Sequence, residues 1–301
     1  MRPKTLLFHL ARTWTAKSPV RRGKSRLMAL VERRLLPGLP AGLTIEVVAR
    51  DGRRFEVEAD DPNAFNLMML GEYDPRETAL VGRIVRPGDV CFDIGANDGW
   101  YTTLFARLVG PTGHVHAFEP APPTLAKLRG TCALNGLLPR VTFNDFGLSD
   151  QDGTATLHLP AHRGGASLRP GPEGSGAKFQ CRLTTVDAYC EREGVEGIRL
   201  VKCDVEGAEL AILRGATRVL DGPTPPMWLL ELHRGTAKRF GYEPADMLRL
   251  LSGKGYVFHQ VCWKPLGFLR PLGDFDGFTD TDNVFCSVPA AHGDVLQANV
   301  L

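Results

Sequence analysis

Short apolar runs alternate with amphipathic segments along the chain from residue 90 onward. An apolar run bounded by turn residues is typical of a buried strand, whereas apolar residues three or four positions apart are typical of a helix packed on one face. The runs predict strands at 90–94, 114–119, 141–145, 199–204, 227–232, 256–261 and 283–288. The amphipathic segments predict helices at 99–109, 122–135, 207–220 and 244–254. This alternation predicts an α/β fold with a seven-stranded, mostly parallel sheet, helices on both faces and an antiparallel closing strand.

Two further segments predict small β-hairpins. Residues 43–59 alternate around an Asp-Gly pair, which is a strong hairpin signal between alternating runs. Residues 154–159 and 179–183 also predict paired strands, and the insertion between them, 160–178, is rich in Gly, Pro and Ser. That composition cannot pack a core, so we expect a flexible insertion, either an inert surface loop or a lid over a substrate.

These elements divide the chain into four predicted parts. The parts are a basic amphipathic arm (1–40), a cap of hairpin and helix (41–85), a main α/β domain (86–290) and a tail (291–301). The carboxyl ends of parallel strands meet at one edge of a sheet, and ligands bind there where the strand order reverses. Acidic and imidazole side chains at predicted strand ends are therefore the candidate site residues.

Composition and charge suggest a compartment and a surface. With 43% hydrophobic and 23% charged residues, the 301-residue chain is typical of a globular protein. Seven scattered cysteines without a Cys-x-x-Cys pair favour a reduced, cytoplasmic protein. Residues 1–38 hold ten of the 36 Lys/Arg and one of the 34 Asp/Glu, so this arm carries +9 and the rest of the chain −7. Such an arm predicts either a solvated helix packed on the domain or weak peripheral contact with the inner membrane face.

The first predicted strand ends in an acidic residue and a turn of small residues. Asp93 and Ile94 precede Gly95-Ala96-Asn97-Asp98-Gly99, and small residues let the backbone approach a bound nucleoside closely. The carboxylate would repel a pyrophosphate but suits a ligand with positive charge, such as the amino-acid part of S-adenosylmethionine (SAM). The Gly-x-x-x-Gly spacing also differs from the Gly-x-Gly-x-x-Gly of dinucleotide-binding proteins.

The second predicted strand also ends in an acid, Glu119, which Pro120 follows. Glu119 comes 24 residues after Gly95, close to the spacing at which an acid reaches a ribose after one strand–helix–strand unit. A carboxylate that accepts from both ribose hydroxyls gains two charge-assisted hydrogen bonds. The two acids together therefore indicate a nucleoside ligand.

These motifs resemble those of FkbM-type SAM-dependent methyltransferases. The first turn, with Tyr101-Thr102 behind it, is similar to the family's first motif, and Phe118-Glu119-Pro120 is similar to its second. The resemblance extends from Arg86 to Val288 and implies a class I Rossmann-like fold, SAM as cofactor and methylation of a hydroxyl on a sugar, glycan or secondary metabolite. It departs from the family pattern at Asp98 and Cys203, and neither change removes a ligand group. Other similar segments are 147–150, 152–153, 183–187, 201–209, 213–216 and 230–233.

The resemblance also implies a set of cofactor-binding residues. Asp145, which follows the third predicted strand, is expected to reach the adenine amino group, although Ser149 or Asp150 could do so instead. The implied cofactor-binding residues are Asp93, Gly95, Ala96, Asn97, Gly99, Glu119 and Asp145.

Methyl transfer to a hydroxyl also needs a base that removes a proton. We prefer His233 because the unperturbed pKa of histidine lies near neutrality, with a structural or capping role as its alternative. Glu206 and Glu209 could instead complement the dipole of the following helix. The same acids could gather a divalent cation such as Mg²⁺, although no tight ligand motif is present. The predicted catalytic residues are His233, Glu231, Asp204 and Glu206.

Two other functions stay open. A nucleotide-dependent oxidoreductase could use the same sheet, although Asp93 and the glycine spacing disfavour it. A catalytically silent SAM-binding scaffold could dock on membranes through the arm. A small-molecule or glycan acceptor is the expected partner, and no nucleic acid is expected because the main domain is acidic and lacks a basic stripe.

Overall fold

The computed structural model describes residues 3–17, 24–40, 42–59, 61, 64–160, 165–170, 176–273 and 281–301. Contacts divide the chain into two units, Met1–Asp74 and Pro75–Leu301. The boundary lies eleven residues earlier than the predicted end of the cap at residue 85. The helix predicted within the cap, observed at Pro75–Ile84, therefore belongs to the larger unit.

The smaller unit contains short helices and one hairpin. Its strands pair in antiparallel fashion around the predicted Asp-Gly turn, and Ile45 and Val47 alternate with exposed residues along the first strand. Arg54 also pairs with Glu46 across the two strands at 2.9 Å. The helices are α1 (Pro3–Lys17), α2 (Lys24–Leu30) with a π turn (Val31–Leu35) and a 3₁₀ turn (Leu36–Gly38), and α3 (Phe65–Leu70); the strands are β1 (Thr44–Val48) and β2 (Arg54–Glu58).

The larger unit is built on an eight-stranded, mostly parallel sheet. Its strands are β3 (Val90–Ile94), β4 (His114–Phe118), β5 (Val141–Asn144), β9 (Ile198–Cys203), β10 (Met227–His233), β11 (Val257–Trp263), β12 (Leu266–Pro271) and β13 (Thr281–Ser287). The order is β12-β11-β13-β10-β9-β3-β4-β5, and β13 is antiparallel to both neighbours, as the missing helix before it predicted. The prediction of seven strands is wrong by one, because β12 forms an additional antiparallel edge. The chain order reverses beside β3, so a switch point lies at the end of this strand.

Helices cover both faces of this sheet, as predicted for a Rossmann-like fold. Cys91 and Leu229 face one core, and Phe92 and Leu230 face the other, because successive side chains of a strand alternate in direction. The helices after α4 (Pro75–Ile84) are α5 (Trp100–Leu108), α6 (Pro122–Leu134), α7 (Val186–Glu193), α8 (Glu209–Arg214), α9 (Thr217–Leu220), α10 (Arg234–Phe240), α11 (Pro244–Ser252) and α12 (Pro289–Asn299).

The predicted helix at 207–220 and the predicted tail at 291–301 both differ from the structure. The single helix predicted at 207–220 is two helices, α8 and α9, separated at Gly215. A Cβ atom at Gly215 would lie 2.0 Å from the Ser149 carbonyl oxygen, so the chain passes that backbone too closely for any other residue. The predicted tail at 291–301 is mostly helix α12, and Val300 beyond it bridges to Leu269 of β12.

The predicted insertion connects two strands of a second, three-stranded sheet. Strand β6 (Gly147–Leu148) pairs with β8 (Lys178–Thr184), which also pairs with β7 (Gly153–His158). Residues 161–164 and 171–175 of the insertion lie outside the described residues. In the described part, Ser167 is buried and exchanges two backbone hydrogen bonds with His158. No helix in the described ranges is both long and apolar enough to cross a membrane.

Candidate active site

The predicted cofactor turn connects β3 to α5 and is held against two neighbouring strands. The N–H groups of Gly95 and Ala96 donate to the Phe118 carbonyl of β4, at 3.0 and 3.1 Å. On the other side, the Asp204 N–H donates to the Ile94 carbonyl at 3.0 Å. Gly95 has a φ of +82°, and a Cβ there would lie 1.8 Å from the Asp204 carbonyl oxygen. Only glycine therefore fits this first position of the turn.

Asp93 lies beneath this turn and is almost completely buried, with 1% of its surface exposed. Its Oδ2 accepts a hydrogen bond from Thr102 Oγ1 of α5 at 2.5 Å. Burial raises the pKa of Asp93 to about 6, although the Thr102 bond and the Lys202 charge oppose this shift. In this geometry the carboxylate fastens the start of α5 to β3 and places negative charge under the turn.

Glu119 is the acid best placed to accept ribose hydroxyls. Its Oε2 accepts from the Asn97 N–H at 3.0 Å, and its Oε1 accepts from the Ala121 N–H at 2.9 Å. A carboxylate oxygen has two acceptor positions, so each oxygen keeps one for a further donor. Burial raises the pKa of Glu119 to about 7, against the effect of both backbone bonds. These residues fit a diol ligand, because two hydroxyl donors would stabilise the ionised carboxylate that burial disfavours.

Asp145 follows β5 as predicted, but its side chain lies in an exposed ion pair with Arg182, 3.1 Å between Nη2 and Oδ1. Of the two alternatives, Ser149 is buried and donates to Asp150 Oδ1 at 3.2 Å. The assignment of an adenine-binding residue among these three stays a prediction.

A buried lysine that sequence reasoning missed lies beside the predicted catalytic acid Asp204. Lys202, on β9, has 1% of its surface exposed, and its Nζ lies 3.3 Å from Asp204 Oδ2 and 3.1 Å from Asn283 Oδ1. The same ammonium group lies over the Tyr101 ring, 5.4 Å from its centroid. A lysine between the apolar Val201 and Cys203 was the available signal, because such a charge is buried only with partners.

Glu231 and Asp204 form a hydrogen-bonded pair of carboxyl groups beside this lysine. Glu231 lies opposite Asn283 in the β10–β13 register. Burial, followed by the Asp204 charge, raises the pKa of Glu231 to about 9, and the Lys202 charge opposes the shift. Glu231 therefore keeps its proton at neutral pH and hydrogen-bonds to Asp204. The Asp204 side chain is one third exposed.

The turn after β9 carries the third predicted acid, Glu206, in a left-handed backbone conformation with a φ of +56°. Burial and the Asp204 charge raise the pKa of Glu206, whereas Arg239 and a hydrogen bond from the Gly165 backbone lower it. Ser167 Oγ donates to the Glu206 carbonyl at 3.0 Å. The described part of the insertion therefore lies directly on the turn that carries the predicted catalytic acids.

Comparison with known proteins decides the family. The sequence profile described as the Methyltransferase FkbM domain matches residues 93–258, a span that begins at Asp93 and includes the Asp204 turn and Glu231. This chain belongs to the FkbM methyltransferase family. It is accordingly a SAM-dependent methyltransferase, and the alternative of a nucleotide-dependent oxidoreductase is wrong.

Three characterised relatives resemble the FkbM-family chain over roughly half its length. The 31-O-demethyl-FK506 methyltransferase FkbM of Streptomyces tacrolimicus is 30% identical over 202 residues, 58% of this chain and 74% of that protein. The 2-O-methyltransferase NoeI of Sinorhizobium fredii is 28% identical over 157 residues, 47% of this chain and 63% of its own. The hexuronic acid methyltransferase AglP of Haloferax volcanii is 28% identical over 166 residues, which are 54% of this chain and 62% of that protein. This chain thus spans less than two thirds of the last two proteins.

Among solved structures, a crystal structure of methyltransferase FkbM from Methylobacillus flagellatus KT matches with 15% identity and a TM-score of 0.42. The match covers 75% of this chain and 53% of that one.

His233, the preferred base in the sequence analysis, caps a helix in this family member. Its Nδ1 accepts a hydrogen bond from the Thr236 N–H at 3.0 Å, and Thr236 Oγ1 donates to the His233 carbonyl at 2.9 Å. A neutral imidazole whose Nδ1 accepts carries its proton on Nε2, so neither nitrogen is open to take another proton. This arrangement fits the capping alternative and leaves Nε2–H as a donor, and the role of His233 as the base stays a prediction.

Glu209 likewise has a structural role. Its Oε1 accepts from the N–H groups of Val205 and Gly207, at 3.0 and 3.1 Å, and the Tyr242 hydroxyl donates to its Oε2 at 2.9 Å. These bonds fix the turn that carries Glu206, in agreement with the capping alternative.

A metal centre finds no support in the geometry of the described residues. Within the described ranges, no group of three or more His, Cys, Asp or Glu side chains is placed to hold a metal ion. The Lys202 ammonium, 3.3 Å from Asp204 Oδ2, already places a positive charge beside this carboxylate. A divalent cofactor stays a prediction from the sequence.

Proposed function

We propose that this protein transfers the methyl group of SAM to a hydroxyl group on a sugar, a glycan or a secondary metabolite. The observation that carries the proposal is the pair of Asp204 and Glu231 beside Lys202, one strand away from the cofactor turn. A hydroxyl must lose a proton when it is methylated, and a carboxylate next to the acceptor can take it. The names of two relatives specify methylation of an oxygen, and the name of the third specifies a hexuronic acid.

The residues around the cofactor turn would bind SAM and orient it. SAM supplies a methyl group on a positively charged sulfur, which is already activated for displacement. Glu119 would accept the ribose hydroxyls through the two acceptor positions that its backbone bonds leave open. Gly95 lets the cofactor turn pack against the Asp204 backbone, and the buried charge of Asp93 favours a cationic ligand over a phosphate.

The acceptor side removes the proton. Asp204 is the proposed base, because its side chain is one third exposed and its Oδ2 lies 3.3 Å from the Lys202 ammonium. Glu231 donates a hydrogen bond to it, and the Lys202 ammonium holds its Oδ2 in place. Lys202 is a positioning residue here, since it orients Asp204 and reduces repulsion between the buried carboxyl groups.

The insertion forms a wall of the proposed acceptor site. Gly165 and Ser167 contact Glu206, and the Arg169 guanidinium lies 5.2 Å from the Phe240 ring centroid. These contacts support the lid alternative over an inert surface loop. They also put the residues that would touch an acceptor on a segment whose sequence can vary without changing the sheet.

The decisive experiment uses SAM labelled in its methyl group and a panel of acceptors. The panel should hold uronic acids, neutral sugars, glycans and macrolides with free hydroxyls, and mass spectrometry should locate the methyl group. We expect an O-methyl product that Asp204→Asn lowers by about 10²-fold or more. Asp221→Asn, which breaks an exposed ion pair with Lys254, is the matched control and should leave turnover unchanged.

Two outcomes would contradict the proposal. Methyl transfer to nitrogen or carbon, with oxygen acceptors inert, would show that the acceptor class is wrong. SAM binding without transfer to any acceptor would favour the silent scaffold that the sequence left open.

A further inference from the structure

One face of helix α1 presents large apolar side chains to solvent. Leu6, Leu7, Leu10 and Trp14 are 48%, 53%, 58% and 43% exposed, and we call these four residues the apolar stripe. The opposite face of the helix is buried through Phe8. A helix at the surface of a globular domain normally has the reverse arrangement, with its apolar face buried and its polar face in water. Contiguous exposed apolar residues of this kind mark an interaction site.

Positive charge is concentrated in the same segment of the sequence as the apolar stripe. Residues 1–38 carry a net charge of +9, against −7 for the rest of the chain. On the following helix and π turn, Arg26, Arg33 and Arg34 are exposed, and Leu30 between them is 55% exposed. The same segment thus combines exposed leucine and tryptophan with an excess of cations. This combination is typical of helices that lie in the plane of a membrane interface.

We propose that residues 1–38 dock on an anionic lipid bilayer, with the apolar stripe in the interface and the basic residues against the headgroups. Charge complementarity selects this occupant. Two copies that met through this face would bring two segments of +9 together, and a polyanion such as nucleic acid would leave the stripe in water. Tryptophan and leucine are suited to the boundary between headgroups and acyl chains. The inference rests on no part of the proposed chemistry.

Vesicle sedimentation of the full chain tests this proposal. Vesicles of phosphatidylcholine alone are compared with vesicles that contain about 30% phosphatidylglycerol, at about 50 and about 300 mM NaCl. We expect binding to the anionic vesicles only, and binding should weaken with salt. Replacing Arg33 and Arg34 by Ser should weaken it by roughly tenfold or more, since each basic residue near an anionic surface contributes about fivefold.

A stripe variant and a matched control separate the apolar contribution from the charge. The variant Leu6→Ser, Leu7→Ser, Leu10→Ser, Trp14→Ser keeps every charge and should lower binding by more than about tenfold. The control Trp263→Ser, Leu266→Ser removes side chains that are 60% and 41% exposed in the larger unit, and should bind like the wild type. If the fourfold variant does not fold, Leu10→Ser alone should still weaken binding measurably.

Fluorescence gives a second readout that locates the contact. Brominated lipids should quench the emission of the wild-type protein, and Trp14→Phe should remove this quenching whereas Trp263→Phe should not. Equal binding to neutral vesicles, or unchanged binding of the stripe variant, would overturn the proposal. A stripe-dependent dimer in light scattering, with no vesicle binding, would overturn it in favour of a second copy.

Discussion

Three carboxyl groups at the carboxyl edge of the sheet lie in surroundings that favour their protonated forms. Burial is the largest cause in each case, and it raises the pKa of Asp93 to about 6, of Glu119 to about 7 and of Glu231 to about 9. A buried carboxyl group gives up its proton more readily when donors or a cation are placed against it. Ligand binding and pH are therefore linked at this edge.

Glu119 should make SAM affinity depend on pH. Above its pKa of about 7 the carboxylate can accept both ribose hydroxyls, and below it one acceptor position is lost to the proton. We expect wild-type affinity to fall by up to about tenfold between about pH 8 and about pH 6. Glu119→Gln should weaken binding about tenfold at the higher pH and reduce the pH dependence, as measured by calorimetry.

The control for this measurement is Glu191→Gln, which removes an exposed ion pair with Arg218 and should leave SAM affinity unchanged at both pH values. A wild-type affinity that does not vary with pH, or a Glu119→Gln variant that binds like the wild type, would remove Glu119 from the cofactor site.

Glu231 should make stability fall as pH rises. The folded state keeps its proton up to a pKa of about 9, whereas the unfolded chain releases it near 4.5, so the native state binds more protons between these values. The free energy of unfolding therefore decreases with rising pH across this window. Glu231→Gln removes this contribution. From about pH 5.5 to about pH 8.5, the free energy of unfolding of the variant should therefore rise by at least about 1 kcal/mol relative to that of the wild type.

Urea unfolding of both proteins at both pH values measures the effect. The difference between variant and wild type cancels the titration of all other groups. If this difference is independent of pH, Glu231 is ionised in the folded protein and does not donate a hydrogen bond to Asp204.

At the scale of elements, the capping of α10 is the alternative to the predicted catalytic role of His233. His233→Ala should lose about 1 kcal/mol of stability, because the Thr236 N–H loses its acceptor. His233→Asn keeps a capping oxygen and should recover most of this loss and most of the turnover. Thermal unfolding and methyl-transfer rates on both variants check this prediction. If the Asn variant is stable but inactive by 10²-fold or more, the imidazole takes part in the reaction after all.

The insertion should affect the KM for the acceptor and not the affinity for SAM. A Cβ at Gly165 would lie 2.6 Å from Glu206 Cγ, so Gly165→Val should displace the Glu206 side chain without blocking the fold. We expect the KM for the acceptor to rise by about tenfold, the cost of one misplaced contact, with SAM affinity unchanged. Gly153→Val, where nothing lies within 4 Å of the added Cβ, is the matched control. Equal kinetics for the two variants would show that the insertion is an inert surface loop.

The sequence could predict elements with strong periodicity but not close contacts between them. The β3–α5 and β4 motifs were predictable, because each joins an apolar run to a turn of characteristic residues. Strand β12 was missed because Pro265 and Pro271 lie at its two ends and are typical of loops. Lys202 was missed because its partners, Asp204 and Asn283, come together only through the sheet order. Sequence position likewise cannot show which nitrogen of His233 is occupied.

For the whole molecule, ligand binding should stabilise the fold and chelation should not affect it. SAM at about 100 times its Kd should add about 2.7 kcal/mol and raise the midpoint of thermal unfolding by several degrees. EDTA should change neither this midpoint nor turnover, because no described cluster of side chains is arranged to hold a metal. Loss of activity with EDTA, restored by Mg²⁺, would instead support the divalent cofactor predicted from the sequence.

The contact between Gly95 and the Asp204 backbone sets the limits for anyone who wishes to redirect this enzyme toward new acceptors. The main chain that carries the proposed base also forms one wall of the cofactor turn, so neither can be moved without the other. Libraries that randomise Gly95 or reshape the Asp204 backbone should yield mostly proteins that bind no SAM. Diversity introduced at 165–170 leaves that wall intact, and useful changes in acceptor preference should therefore be found there.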